Sequence, residues 1–134
     1  AKTRLAIELG IGTSLRRNDY TKAAERAIRD ALWHNSLNLA EAFGFPKSSM
    51  IIDIEIGVQN PNKVNCEILK SILPYGKVNV KVVHGGLDII KSDEPKNGVK
   101  VIKTIVANAA IIVSFDMSQC ASVICICSIQ FFGT

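Results

Sequence analysis

The sequence predicts an α/β sandwich of order β-α-β-α-β-β: one mixed four-stranded sheet with two helices packed on one face. Three observations carry this. Ile52, Ile54, Ile56 and Val58, and then Val78, Val80 and Val82, recur with the period of strands that turn one face to a core. Two stretches of helical character, Asp19 to Asn35 and Asn60 to about Leu73, precede those strands. With 134 residues, 48% of them apolar, the chain can bury one modest core. It is expected to form a single domain over 1–116, with 117–134 as an apolar C-terminal extension.

Arg4 to Leu9 reads as the first strand, with Leu5, Ile7 and Leu9 alternating with Ala6 and Glu8. Gly10-Ile11-Gly12-Thr13-Ser14-Leu15-Arg16-Arg17-Asn18 reads as a loop by composition. Asp19 or Thr21 then caps the long helix. Its apolar stripe is mostly alanine (Ala23, Ala27 and Ala31, with Ala24, Ile28 and Leu32 beside them), so its axis can lie close to whatever it covers. Ser36 to Gly44 adds a further helical turn or two before Gly44 and Pro46.

The second strand spans Met50 to Val58, with Asp53 and Glu55 on its polar face and Glu8 alongside. Asn60-Pro61 starts the second helix, whose inward residues are Val64, Ile68, Leu69 and Ile72. Lys77 to Val83 is the third strand, and His84-Gly85-Gly86 bends after it. Lys91 to Gly98 is a surface loop, and the fourth strand is best placed at Ile105 to Val113.

Composition narrows the function classes. The net charge of +4 comes from dispersed lysines, and no basic run interleaves with aromatics, so no nucleic-acid partner is expected. No apolar run reaches the ~18 residues of a membrane span. Cys66, Cys120, Cys125 and Cys127 lack regular spacing and contain no C-x-x-C pair. Free thiols imply a reducing compartment. The cytoplasm is expected, or the plastid stroma for a chain whose transit peptide has been removed. Two histidines, His34 and His84, in different elements make no metal template, and no cofactor is expected.

Polar groups that could do chemistry gather before the long helix. Gly10 and Gly12 let a backbone approach a ligand, and a helix N-terminus offers free N–H groups to an anion. Thr13, Arg16, Arg17, Thr21 and Lys22 add donors, although a tight turn with ordinary capping is the simpler reading of the same residues. Lys22 stands in the first turn, where a cation opposes the helix dipole. Asn108 is a polar residue within an apolar strand and reads as a buried amide in need of partners. His84 and Glu55 are the proton-transfer candidates.

Three separated motifs resemble one family. Thr21-Lys22-Ala23-Ala24 with Arg26-Ala27-Ile28-Arg29-Asp30-Ala31, then Leu73-Pro74-Tyr75-Gly76 with Gly85-Gly86, then Val106-Ala107-Asn108-Ala109-Ala110, look like the signatures of the conserved-hypothetical family Lin-zero-five-one-two, found in bacteria and plants. The resemblance covers roughly positions 3 to 114 and implies no established activity. The family loop reads G-x-D-L-H-G-Q-D. Here Ser14 stands at the acid, and Arg16-Arg17 replace the His-Gly pair. Paired arginines suit a carboxylate or phosphate. The element order resembles the chorismate-mutase-like and YjgF-like architecture, whose members trimerise and place ligands between subunits, an implication of fold alone.

Two function classes follow. One is a homo-oligomer, a trimer or a multiple of three, that binds a small anionic metabolite and acts on it if it is an enzyme. Arg16, Arg17 and Lys22 would hold the anion, Thr21 and Asn108 would orient it, and His84 or Glu55 would move a proton. The other is a non-catalytic assembly protein built on the uncovered sheet face and the tail after Met117.

Overall fold

The computed structural model describes residues 2–15, 17–33, 49–73, 76–90 and 102–116. Arg16, His34, Ser36 to Gly44, Lys91 to Gly98, Cys120, Cys125, Cys127 and the extension 117–134 lie outside the described residues. The elements are β1 (Lys2–Ser14), α1 (Tyr20–Trp33), β2 (Ile51–Val58), a 3-10 turn (Pro61–Lys63), α2 (Cys66–Lys70), β3 (Lys77–His84), β4 (Leu87–Ile90) and β5 (Lys103–Asp116). This is the expected mixed fold, with one sheet and two helices on one face.

The sheet has five strands rather than four, because Leu87–Ile90 forms an additional short strand. The order is β1-β5-β2-β3, with β4 beside β5 beyond the end of β2. The last strand therefore inserts between the first two. It runs antiparallel to both β1 and β2, while β2 and β3 are parallel. Its position explains its composition. Paired on both sides, β5 buries Ile105, Ala107, Ala109, Ile111, Val113 and Phe115 on the helix-covered face. Ile52, Ile54, Ile56 and Val58 join that core from β2, as their alternation requires.

β1 continues through the glycines instead of ending at Leu9. Gly10 to Ser14 are strand residues paired with Ala109 to Ile105, not a loop. The cause is tertiary. A Cβ on Gly10 would lie 2.9 Å from Ala31 Cα and closer still to Ala27 O and Ala31 N. A Cβ on Gly12 would lie 2.7 Å from Arg26 C and closer still to Ala23 O and Ala27 N. The alanine stripe thus sits directly on a glycine track, and Ala23, Ala27 and Ala31 are fully buried.

α1 also bonds the outer edge of β1. The Ile11 N–H donates to Asp30 Oδ2 at 2.9 Å, and Arg26 Nη1 donates to Thr13 O at 2.7 Å. Backbone groups that would invite another strand are satisfied by side chains there.

The second helix is shorter than its pattern implies. Asn60-Pro61 opens only the 3-10 turn, and no side chain caps it. Asn65 caps α2, its side chain accepting from the N–H groups of Glu67 and Ile68. Leu69 is fully buried and Val64 and Ile72 pack on the core, but Ile68 is exposed. After β3 the chain crosses the end of β2 on three glycines. A Cβ on Gly57 would meet Gly85 Cα at 3.3 Å. The Gly85 N–H donates to Val58 O at 2.9 Å, and Gln59 Nε2 donates to the carbonyls of Gly85 (3.1 Å) and Gly86 (3.0 Å). β4 then starts in the lane that β2 has vacated.

Candidate functional site

Register assigns every strand residue to a face. The face away from the helices carries rows that run across the sheet. Ile7, Ile112, Asp53 and Asn79 form one; Leu9, Ala110, Glu55 and Lys81 the next; Ile11, Asn108, Gly57 and Val83 the third. Thr13, Val106 and Leu87 continue it, and Ile89 follows beside Thr104. The β1 and β4 parts are aliphatic and open: Ile7, Leu9, Ile11, Leu87 and Ile89 are 48–68% exposed. The β2–β3 corner is polar, and Asn79 Nδ2 donates to Asp53 Oδ1 at 3.2 Å.

The described members of the candidate ligand set are not brought together. Gly10 and Gly12 approach α1, not a ligand. The Thr13 carbonyl is held by Arg26, while its side chain lies on the open face. Thr21 Oγ1 accepts from the Asn65 N–H at 3.0 Å and donates to Lys63 O at 3.4 Å, which ties α1 to the segment before α2. Lys22 pairs with Glu25 at 3.3 Å, one turn on. Arg17 is exposed in the turn after β1. Asn108 is exposed on the open face and is not the buried amide its apolar strand suggested. Glu55 is exposed on that same face, whereas His84 pairs in register with Val58 and projects from the helix side. The two proton-transfer candidates therefore lie on opposite faces of the sheet. Glu8 is in register with Ile111, on the helix side, and does not join Asp53 and Glu55.

The structure assembles a different polar cluster, which local pattern did not reveal. Tyr20, the first residue of α1, is buried, and its hydroxyl donates a short hydrogen bond to Asp88 Oδ2. Lys103 Nζ donates to the same oxygen at 3.1 Å and lies 5.6 Å from the Tyr20 ring centroid. Asp88 Oδ1 is buried without a hydrogen-bond donor among the described residues. Asn18, at a left-handed φ of 49°, accepts from the Lys103 N–H at 3.1 Å and fixes the base of the cluster. Two signals were present in the sequence. Tyr20 lies three and four residues before Ala23 and Ala24 on the buried stripe, and Asp88 is a lone acid in an aliphatic run.

Burial, and then the hydrogen bond to Asp88, push the Tyr20 phenol above its ordinary value, against the Lys103 ammonium. Contact with Tyr20 and Asp88 raises Lys103 in turn. Both groups hold their protons more tightly folded than unfolded. Their stabilisation is therefore complete below about pH 10 and is lost as pH rises through the folded values. The expected result is that the difference in Tm between the native sequence and Asp88→Ala narrows on going from about pH 8 to about pH 11. Thermal unfolding followed by circular dichroism checks it, and a constant difference would deny the linkage. On α1, burial raises Glu25, but Arg29 and Lys22 hold it below the usual carboxylate value.

Among the described residues, no group of three or more His, Cys, Asp and Glu side chains could hold a metal ion. No helix among them is long and apolar enough to cross a membrane.

The chain is similar to a solved structure from Nostoc punctiforme PCC 73102, described as an FtsZ-like protein of unknown function. It is 32% identical over 87% of this chain and 98% of that one, with a TM-score of 0.76. No functionally curated protein matches. The family motifs occupy packing positions: Ala23 and Ala27 lie on the glycine track, Ala107 and Ala109 beneath the helix layer, and Gly85-Gly86 at the crossing. The model of the family described as a conserved hypothetical protein (Lin0512) matches residues 4–113, and the chain belongs to that family.

Proposed function

We propose that this protein is an assembly unit whose open sheet face packs against the same face of a second copy. The carrying observation is the set of aliphatic residues on that face, Ile7, Leu9 and Ile11 from β1 and Leu87 and Ile89 from β4, each about half exposed or more. Large aliphatic side chains exposed together on one sheet face suit an interaction surface. A second copy fits it for three reasons. The period-two aliphatic ridges suit sheet-on-sheet packing. The polar corner holds both signs of charge, Asp53 and Glu55 with Lys81, so a two-fold axis can set acid against base. The β1 edge is engaged by Arg26 and Asp30, which disfavours sideways growth of the sheet. The small-anion reading has less support, since Lys22 and Thr21 are engaged and the glycines are covered.

The test is native mass across a dilution series for the full chain, for Leu9→Lys and Ile11→Lys, and for a chain lacking 117–134. A dimer is expected, and each lysine should weaken it about a hundredfold, because it buries an unpaired charge. A monomer at every concentration would overturn the proposal. So would a mass indifferent to both lysines, a trimer, or an oligomer lost only with the tail.

A further inference from the structure

We propose that Asp88 is a latch through which the start of α1 controls the open sheet face, an inference that rests on the assembly reading above. Three observations meet at β4. First, alternation divides its residues between faces. Leu87 and Ile89 lie with Val106 and Thr104 on the open face, and Asp88 lies with Ile105 on the helix side. Second, β4 is only four residues long and, among the described residues, pairs with β5 alone. A strand that short, with Leu87, Ile89 and Ile90 exposed, gains little from burial and depends on its other attachments.

Third, its attachment on the helix side is the Asp88 carboxylate. Oδ2 receives both the Tyr20 hydroxyl and the Lys103 ammonium, with the Asp88 side chain 18% exposed and that of Lys103 31% exposed. Charge-assisted bonds at a partly dry site are among the stronger local ties. The same closure leaves Oδ1 buried without a donor among the described residues, a cost that water would remove once β4 lifted. The latch is therefore strong in its contacts yet offset by its own unsatisfied oxygen, a balance suited to a strand that detaches. Detachment would remove Leu87 and Ile89 from the face and leave Ile7, Leu9 and Ile11. Tyr20 heads α1, so whatever displaces the first turn of the helix acts on the far side of the sheet.

The experiment compares Asp88→Ala and Tyr20→Phe with the native full chain by amide hydrogen exchange and by the dissociation constant from the dilution series. Tyr20→Phe keeps the buried ring and removes one hydroxyl, so it reports even where Asp88→Ala folds poorly. Exchange of the β4 amides should accelerate about tenfold in Tyr20→Phe and about a hundredfold in Asp88→Ala, with β2 and the stretch of β5 that pairs with β2 unchanged. Association should weaken by several-fold in both. Unchanged exchange at β4, or acceleration spread over all strands, would overturn the latch. Local acceleration with unaltered association, in a protein that Leu9→Lys does dissociate, would overturn the control of the face and leave the assembly reading standing. If the native chain does not associate, the control of the face falls with the assembly reading, and exchange alone decides whether the latch exists.

Discussion

Gly12→Ala is expected to destabilise the protein by about 3 kcal/mol and to lower Tm by roughly 10 °C or more. The added methyl would meet backbone: Arg26 C at 2.7 Å, with Ala23 O and Ala27 N nearer. No rotamer relieves that contact, so α1 must withdraw from β1. Withdrawal loosens Ala23, Ala27 and Ala31 together and lengthens the Arg26–Thr13 and Asp30–Ile11 bonds at the strand edge. Ala27→Gly should not rescue the variant, since the clash involves Ala27 N and not its methyl group. Ile11→Ala, next to it on the open face, introduces no such clash and should lower Tm less. Thermal unfolding of the three variants checks this, and a Gly12→Ala protein as stable as the native one would remove the close approach.

Gly86→Ala should cost a similar amount for two separable reasons. Gly86 has a φ of 61°, the left-handed region, where a β-carbon costs about 1–2 kcal/mol. That carbon would also lie 2.9 Å from Gly57 O and closer still to Val106 O. Gly86→Asn separates the causes, because asparagine tolerates the left-handed region but still carries a Cβ. Asparagine as damaging as alanine identifies the clash as the main effect; recovery of most of the stability by asparagine would assign the cost to φ. Either variant should act first at β4, whose pairing begins at Leu87 beside Val106. Urea unfolding gives the magnitude.

What could be read from the sequence was whatever local periodicity dictates. β2 and α1 were legible because every second or every third and fourth side chain repeats an environment. The close seat of α1 was legible from its alanines. The glycines were not, because a glycine inside a strand looks like a break until the helix backbone that excludes a side chain is known. The second helix was overextended because Asn60-Pro61 and Asn65 both resemble starts, and only Asn65 makes the capping bonds. That His84 and Glu55 stand on opposite faces was not legible, because relating them needs the parallel register of β2 and β3, which no segment encodes alone. Tyr20 and Asp88 are 68 positions apart, so their meeting depends on β4 landing beside β5.

α1 answers to three neighbours at once. Ala23, Ala27 and Ala31 must stay small for the strand backbone beneath them. Arg26 and Asp30 occupy the outer edge of β1, one as donor and one as acceptor, and their order cannot be exchanged. Lys22, Glu25 and Arg29 form a ladder of charges on the outside. The permitted alphabet of this helix is consequently narrow on two sides and broad on one. A descendant of this chain could recolour that outer ladder freely, but any new chemistry would have to be built elsewhere, on loops or on the open side of the sheet.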